Sequence, residues 1–151
     1  MIDIILHCPE IPQNTGSIGR ICAFAGCRLH LIHPLGFQIN DKNLRRAGMD
    51  YWESLDVFEY DNWNQFLNSK NSPKRIHLFS THATKTLWET DFRSDDGLLF
   101  GNEGKGAPDD IHQWAGENRV TIPKYKDGLR SLNLAVSVGI ATYEAIRQIS
   151  E

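Results

Sequence analysis

Apolar positions along the chain change period several times, and each change marks an element. Ile2 to Cys8 (IDIILHC) is nearly continuous apolar sequence, the pattern of a short strand covered on both faces, and Pro9 and Pro12 close it. In NTGSIGRICAFAG, Ile18, Ile21, Cys22 and Ala25 stand at i, i+3, i+4 and i+7, one face of a helix that Asn14 or Thr15 can cap at its start and Gly26 at its end. Arg28 to His33 alternates as a strand does, and Asp41 to Ala47 reads as a short basic helix ending near Gly48. Strands follow at Leu55 to Tyr60, Ile76 to Thr81, Gly97 to Phe100 and Arg119 to Ile122, with helices at Asn62 to Asn68 and from Asp109. Residues 82–96 have no clear period and read as helix or loop. Ser131 to Ile149 is the longest predicted helix.

Repeated strand-then-helix order predicts an α/β chain: a mostly parallel sheet with helices on both faces, in a single domain over 1–151. In the last helix, Leu132, Leu134, Ala135, Val136, Val138, Ile140 and Ala141 cannot share one stripe. A helix apolar all round is buried in its own domain or against a partner chain, and a sheet this small favours a partner. The length is that of one ordinary domain. No apolar run approaches the ~20 residues of a membrane span, and the first residues lack the pattern of a signal peptide. Three cysteines without a CxxC spacing predict reduced thiols in a cytoplasm.

In open parallel sheets, ligands sit beyond the carboxyl ends of the strands. Three unusual loops leave such ends: Cys8 to Gly19, Gly101 to Pro108 (GNEGKGAP) and Pro123 to Asn133. GNEGKG is not a Walker A loop, because Gly104-Lys105 is followed by Gly106 and the position five before Gly104 is Leu99. The turn after the first strand, PEIPQNTG, carries no GxGxxG, so nicotinamide cofactors lose ground with nucleoside triphosphates. His30 and His33 fall on opposite faces of a strand, and His7, His77, His82 and His112 have no metal-ligand spacing, so no metal site is expected. Cys22 and Cys27 read as packing residues, and no GxSxG elbow supports a serine hydrolase.

NTGSIGR, LLFGNEGKGAP and IPKYKDGLRSLNLAVSVGIATYEA, in that order, resemble the three motifs of the SPOUT methyltransferases, trefoil-knotted RNA 2′-O-methyltransferases that use S-adenosylmethionine. EIPQNTGSIGR and LHLIHPLGF…LRRAGMDYW are most similar to the small TrmL-like branch, which methylates the wobble nucleotide of tRNA. The resemblance runs the full chain. It implies a C-terminal knot, which most folds avoid, a homodimer formed through the C-terminal helix region, S-adenosylmethionine as methyl donor with S-adenosylhomocysteine as product, and no metal.

The resemblance also implies site residues. The first motif's asparagine and arginine match Asn14 and Arg20, the second's glycine and glutamate Gly101 and Glu103, and the third's serine and asparagine Ser131 and Asn133. Cofactor contacts would fall at Leu78 or Phe79, Gly101, Ile122 and Ser131. Tyr143 is a candidate for contact across the dimer. Lys105 stands where relatives often carry arginine, and the third loop is one residue longer than in some of them.

A ribose 2′-hydroxyl is a poor nucleophile until its proton leaves or its developing charge is stabilised. Arg20 is the implied base, yet neutralising a guanidinium at pH 7 costs about 8–9 kcal/mol. Two roles therefore stand: proton acceptor, or clamp for a phosphate and a forming alkoxide, with Asn14 orienting it in either case. Ser131 and Asn133 would also cap the last helix.

Of the basic clusters, Lys42, Arg45 and Arg46 flank the implied site, as do Lys124, Lys126 and Arg130 with Arg119, and both are candidates for RNA phosphates; Lys74 and Arg75 read as a solvated face. The net charge of −3 averages over a polarised chain: residues 85–110 sum to −4 and residues 119–130 to +3. Other tRNA or ribosomal RNA positions, a catalytically inactive knotted RNA-binding module, and a flavodoxin-like nucleotide-binding protein are the competing readings.

Overall fold

The computed structural model describes residues 1–40, Lys42, Leu44, Arg46 and 49–150. Six strands form one wholly parallel sheet: β1 (Asp3–His7), β2 (Arg28–Ile32), β3 (Val57–Tyr60), β4 (Ile76–Phe79), β5 (Gly97–Phe100) and β6 (Arg119–Val120), in the order β3-β2-β1-β5-β4-β6. The helices are α1 (Pro12–Ala25), α2 (Trp63–Leu67), α3 (Asp109–Ala115) and α4 (Leu134–Ile149), with 3₁₀ turns at Met49–Ser54 and Leu87–Glu89.

The nearly continuous apolar character of β1 and β5 follows from burial on both faces. Ile4, Leu6, Leu98 and Phe100 point into one core with Ile18 and Cys22 of α1 and Val138, Ala141 and Ala145 of α4. Ile5 and Leu99 point the other way, into a second core with Phe66 of α2 and Ile111 and Ala115 of α3. Because side chains alternate along a strand, one apolar run feeds both layers.

Two helix starts differ from the expectation, while the segments at 82–96 and 41–47 agree with it as far as they are described. α1 begins at Pro12 with Ile11 as its N-cap residue, so Asn14 and Thr15 lie inside the helix rather than capping it; Gly26 does end it, at φ 71°. The segment 82–96 contains only the short 3₁₀ turn at Leu87–Glu89, closed by a capping box between Thr86 and Glu89. α4 starts three residues after Ser131, and Asn133, not Ser131, caps it by accepting from the amides of Ala135 (2.9 Å) and Val136 (3.3 Å). Of the basic helix expected at 41–47, Lys42, Leu44 and Arg46 are helical; Asp41, Asn43, Arg45, Ala47 and Gly48 lie outside the described residues.

The amino edge of the sheet holds two buried histidine–aspartate pairs. Asp3 takes both Nε and Nη2 of Arg28 (2.8 and 2.9 Å) and Nε2–H of His30 (2.6 Å), whose Nδ1 accepts from the Tyr60 hydroxyl (2.9 Å). His77 donates Nε2–H to Asp96 (2.9 Å), which also accepts the Arg93 amide (2.9 Å). Burial holds His77 below the ordinary imidazole value, against the opposing pull of Asp96. Burial alone would raise Asp3, but the hydrogen bonds from His30 and Arg28 outweigh it and hold the carboxyl below its usual range.

Both folded-state values are depressed, so the unfolded chain binds more protons and stability falls as pH falls. Thermal melts should show the midpoint dropping as pH passes below 6.5, the unperturbed imidazole value, and again through the carboxylate range. His77→Gln should shrink the first fall, to which His7 and His112, shifted in the same direction, also contribute, and keep the second; an unchanged first fall would clear His77.

Candidate functional site

The order of strands places a switch point between β1 and β5. The chain moves outward from β1 through β2 to β3, then returns so that β5 lies against the other side of β1. Loops leaving β1 and β5 diverge there, which opens a crevice at the carboxyl edge. The sequence-predicted loops Cys8 to Gly19 and Gly101 to Pro108 are the two that flank it.

Glu103 bridges that crevice. Its Oε1 accepts the amide of Glu10 and its Oε2 that of Ile11, both at 2.8 Å, and Oε2 also accepts from Nδ2 of Asn14 at 3.3 Å. Asn14, only 7 % exposed, accepts at Oδ1 from Nδ2 of Asn133 at 3.0 Å. A continuous polar chain, Glu103–Asn14–Asn133, therefore joins the loop after β5, the first turn of α1 and the start of α4. Three residues expected from three separate motifs meet in one network.

The loop after β5 closes on itself. Asn102 and Gly106 exchange backbone hydrogen bonds (2.8 and 3.3 Å), and Asn102 Oδ1 accepts from the amides of Gly104 (2.9 Å) and Lys105 (3.1 Å). Its Nδ2 donates to the carbonyl of Cys8 (2.8 Å), a non-glycine residue at φ 53°. A Cβ on Gly101 would stand 2.2 Å from the amide nitrogen of Ala107, so only glycine fits there. The close approach that Gly101 permits is to its own loop. No atom lies within 4 Å of the Cβ position on Gly106, whose φ is +69°, so that stretch of backbone is left bare.

The remaining expected residues distribute around this centre. Leu78 and Phe79 are buried at the end of β4, and Leu78 gives its amide to Asn118 (2.8 Å), so the edge strand takes up that donor. Ile122 is half-buried, and Ser131 is exposed. Lys124, Lys126 and Arg130 are exposed on the third loop, where Lys124 donates to the Leu129 carbonyl; Lys42 and Arg46 are exposed, and Arg45 lies outside the described residues.

Arg20 is not oriented by Asn14. Six residues apart, the two point about 120° from each other around the helix and ~9 Å along it. Arg20 instead donates from Nη2 to the Tyr51 hydroxyl (3.4 Å) and lies over that ring, with Cζ 5.0 Å from its centroid.

Sequence reasoning passed over four participants: Glu10 and Ile11, which contribute only amides; Asn102, whose place in a glycine-rich turn was a usable signal; and Tyr51, whose approach to Arg20 no local pattern announces. It also passed over the hydrogen bond from Trp88 Nε1 to the Tyr125 hydroxyl (3.0 Å), which ties the third loop to the segment after β4. Among the described residues, no group of three or more His, Cys, Asp or Glu side chains is placed to hold a metal, and no helix is long and apolar enough to cross a membrane.

A family model described as the SpoU rRNA Methylase family matches residues 1–143. A protein from Saccharophagus degradans named tRNA (cytidine(34)-2′-O)-methyltransferase is 44% identical over 150 residues, covering 99% of this chain and 96% of its own. A solved structure described as giving insights into the 2-OH methylation of C/U34 on tRNA superposes with a TM-score of 0.89 at 43% identity, covering 98% of this chain and 95% of that one. AviRb, the SpoU methyltransferase of Streptomyces viridochromogenes, solved in complex with the cofactor AdoMet, shares the fold (TM-score 0.81, 24% identity) over 97% of this chain and 59% of its own.

Truncating the middle of the polar chain tests it. Asn14→Ala removes the acceptor of the exposed Asn133 Nδ2 and one donor to Glu103, and should lower unfolding stability by about 0.5–1.5 kcal/mol in urea titration. A midpoint within error of the parent would mean that the three loops hold together without it.

Proposed function

The chain belongs to the SpoU rRNA Methylase family, and from that premise we propose that it transfers a methyl group from S-adenosylmethionine to the ribose 2′-oxygen of the wobble nucleotide of tRNA. The observation that carries this reading is the end-to-end match, in both directions, to a tRNA (cytidine(34)-2′-O)-methyltransferase. The Glu103–Asn14–Asn133 network at the switch-point crevice supports it. In this reading residues 1–151 act as one SPOUT methyltransferase domain, knotted at its C-terminal part and working in the cytoplasm without a metal.

The loop after β5 fits the cofactor. With nothing near a Cβ position at Gly106, a ligand can approach the loop backbone closely there, while Asn102 holds the loop's shape by taking the amides of Gly104, Lys105 and Gly106. Leu78, Phe79, Gly101, Ile122 and Ser131 would hold S-adenosylmethionine, which supplies an electrophilic methyl when bound and leaves as S-adenosylhomocysteine.

The chain's own residues then have three tasks. Glu103, Asn14 and Asn133 fix the loops so that the reacting ribose and the methyl donor share one crevice; a site pre-set in this way loses little entropy on the way to the transition state. Arg20, exposed and stacked on Tyr51, clamps the phosphate beside the ribose and stabilises the alkoxide as the 2′-hydroxyl gives its proton to solvent water. Lys42, Arg45 and Arg46, with Lys124, Lys126 and Arg130, supply phosphate contacts to the tRNA.

α4 supports a homodimer. Leu132, Val136, Ile140 and Tyr143 are 51, 49, 37 and 45 % exposed. The last three, at i, i+4 and i+7, form a stripe on the side of α4 away from Val138, Ala141 and Ala145. A contiguous apolar stripe in water marks a contact surface.

Incubating the protein with tRNA and methyl-labelled cofactor, then digesting to nucleosides for mass spectrometry, should place label in a 2′-O-methylnucleoside from the wobble position. Label in no such nucleoside would end the reading. Arg20→Ala should cut turnover by about a hundredfold or more while binding cofactor normally; near-parent turnover would remove Arg20 from the chemistry. Val136→Asp with Ile140→Asp should convert a dimer to monomers in sedimentation, and an unchanged mass would move the interface elsewhere.

A further inference from the structure

A second basic feature lies outside the crevice, on the far edge of the sheet. A groove of about 440 Å³ runs between the segment after β4 and the end of α3, lined by Thr84, Lys85, His112, Gln113, Glu117 and Arg119. Sequence reading grouped Arg119 with the third-loop cations, but the structure points it elsewhere. Its Nε donates to the Gly116 carbonyl (3.0 Å), and its Nη1 stands 3.5 Å from Nδ1 of His112. The His112 ring in turn lies 6.2 Å from that of His82, centroid to centroid.

Among the described residues, the cations of this groove meet no carboxylate at ion-pair distance, although Glu117 shares the lining and Glu89 feels the field of Lys85. Arg28, Arg75, Arg93 and Arg147 each meet a carboxylate, whereas Lys85 and Arg119 pair with none among the described residues. Glu117 lines the groove and Asp109 begins the helix beside it, yet neither reaches the cations. His112 is held below the ordinary imidazole value, first by burial and then by Arg119 and His82, with Asp109 working the other way. Two cations that line one open groove without an ion-pair partner are suited to an anion that comes from outside the chain.

Backbone fixes their positions. The Thr121 amide donates to the Lys85 carbonyl and the Leu87 amide to the Thr121 carbonyl, both at 2.8 Å, so the Lys85 segment is laced to the end of β6. Arg119 is in register with Leu78 across the β4–β6 pair. β6 stands two and a half strand spacings, roughly 12 Å, from the middle of the β1/β5 crevice.

We propose that this groove binds a backbone phosphate of the RNA substrate, flanking the nucleotide that reacts at the crevice. The inference rests on the tRNA reading above. A phosphodiester supplies the anionic oxygens that Arg119 and Lys85 lack, and the offset from the crevice makes it a neighbouring phosphate rather than that of the reacting residue. Such a contact sets the register of the RNA without reading its bases.

The test is tRNA binding by the intact protein over a salt series, with Lys85→Gln and Arg119→Gln. Each variant should weaken binding about five- to eightfold at ~0.1 M salt and flatten the slope of log affinity against log salt by about 0.7–0.9. The charge-keeping variants Lys85→Arg and Arg119→Lys should restore both, which separates lost charge from lost fold. Inorganic phosphate alone, titrated against the His112 ring resonances, is the second arm.

If the parent protein binds and methylates tRNA while both Gln variants keep its affinity and slope, the groove proposal fails and the tRNA reading stands. Phosphate that moves the His112 resonances without either variant affecting tRNA makes the groove a free-anion site and likewise overturns the proposal. A parent protein that neither binds nor methylates tRNA takes both readings down together.

Discussion

The carboxylate of Glu103 is the interaction on which the candidate site depends. α1 has no side-chain cap of its own: its N-cap residue is Ile11, and its first turn carries no acid. The free amides at such a start call for acceptors, and the helix dipole favours a negative one. Glu103 supplies that acceptor from 92 residues away, taking the amides of Glu10 and Ile11 together. One carboxylate thus does a capping task for α1 and closes the crevice between β1 and β5. Asn133 divides itself similarly, with Oδ1 capping α4 and Nδ2 holding Asn14. Both helices that pack on the first core therefore start at the site, and any movement of the site loops is felt in the core.

The two ends of the sheet carry different duties. At the amino edge, His30 with Asp3 and His77 with Asp96 are buried pairs that hold strands together, with Nδ1 of His77 left without a partner among the described residues. At the carboxyl edge the polar groups are more open and bridge loops. Cys8 at φ 53° belongs to this second class: a strained backbone turns its carbonyl to Asn102 and is held there by a loop from the other side of the crevice.

The layered fold was legible in the sequence because hydrophobic period reports burial directly. β1 and β5 read as doubly covered strands, and Ile18 and Cys22 of α1 reach the first core as their spacing requires. What local pattern misplaced were helix starts. Asn14 and Thr15 looked like caps because their residue types cap most often, yet Pro12 already begins the helix and a distant carboxylate does the work. Ser131 lost the same role to Asn133, two residues on. The site residues Asn14, Glu103 and Asn133 came from the resemblance to a family rather than from spacing, since contacts across 89 and 119 residues leave no local trace.

Arg20 shows what one chain leaves incomplete. Helical geometry sends it away from the Asn14 side of α1, so the crevice network cannot position it. Its neighbour one turn on, Phe24, is 85 % exposed, and its own support is the half-exposed Tyr51. An exposed guanidinium over one half-exposed ring costs side-chain entropy to fix and gains little in open water. The α4 stripe of Val136, Ile140 and Tyr143 leaves a second apolar surface open, on the helix that packs beside α1. On the dimer reading these two observations have one solution. If the proposed second copy seated on α4 also reached the flank of α1, it would exclude water there, strengthen the field of Arg20 at the ribose, and make an exposed arginine part of a closed site. The proposed dimer would then answer both the apolar excess of the last helix and the exposure of the arginine.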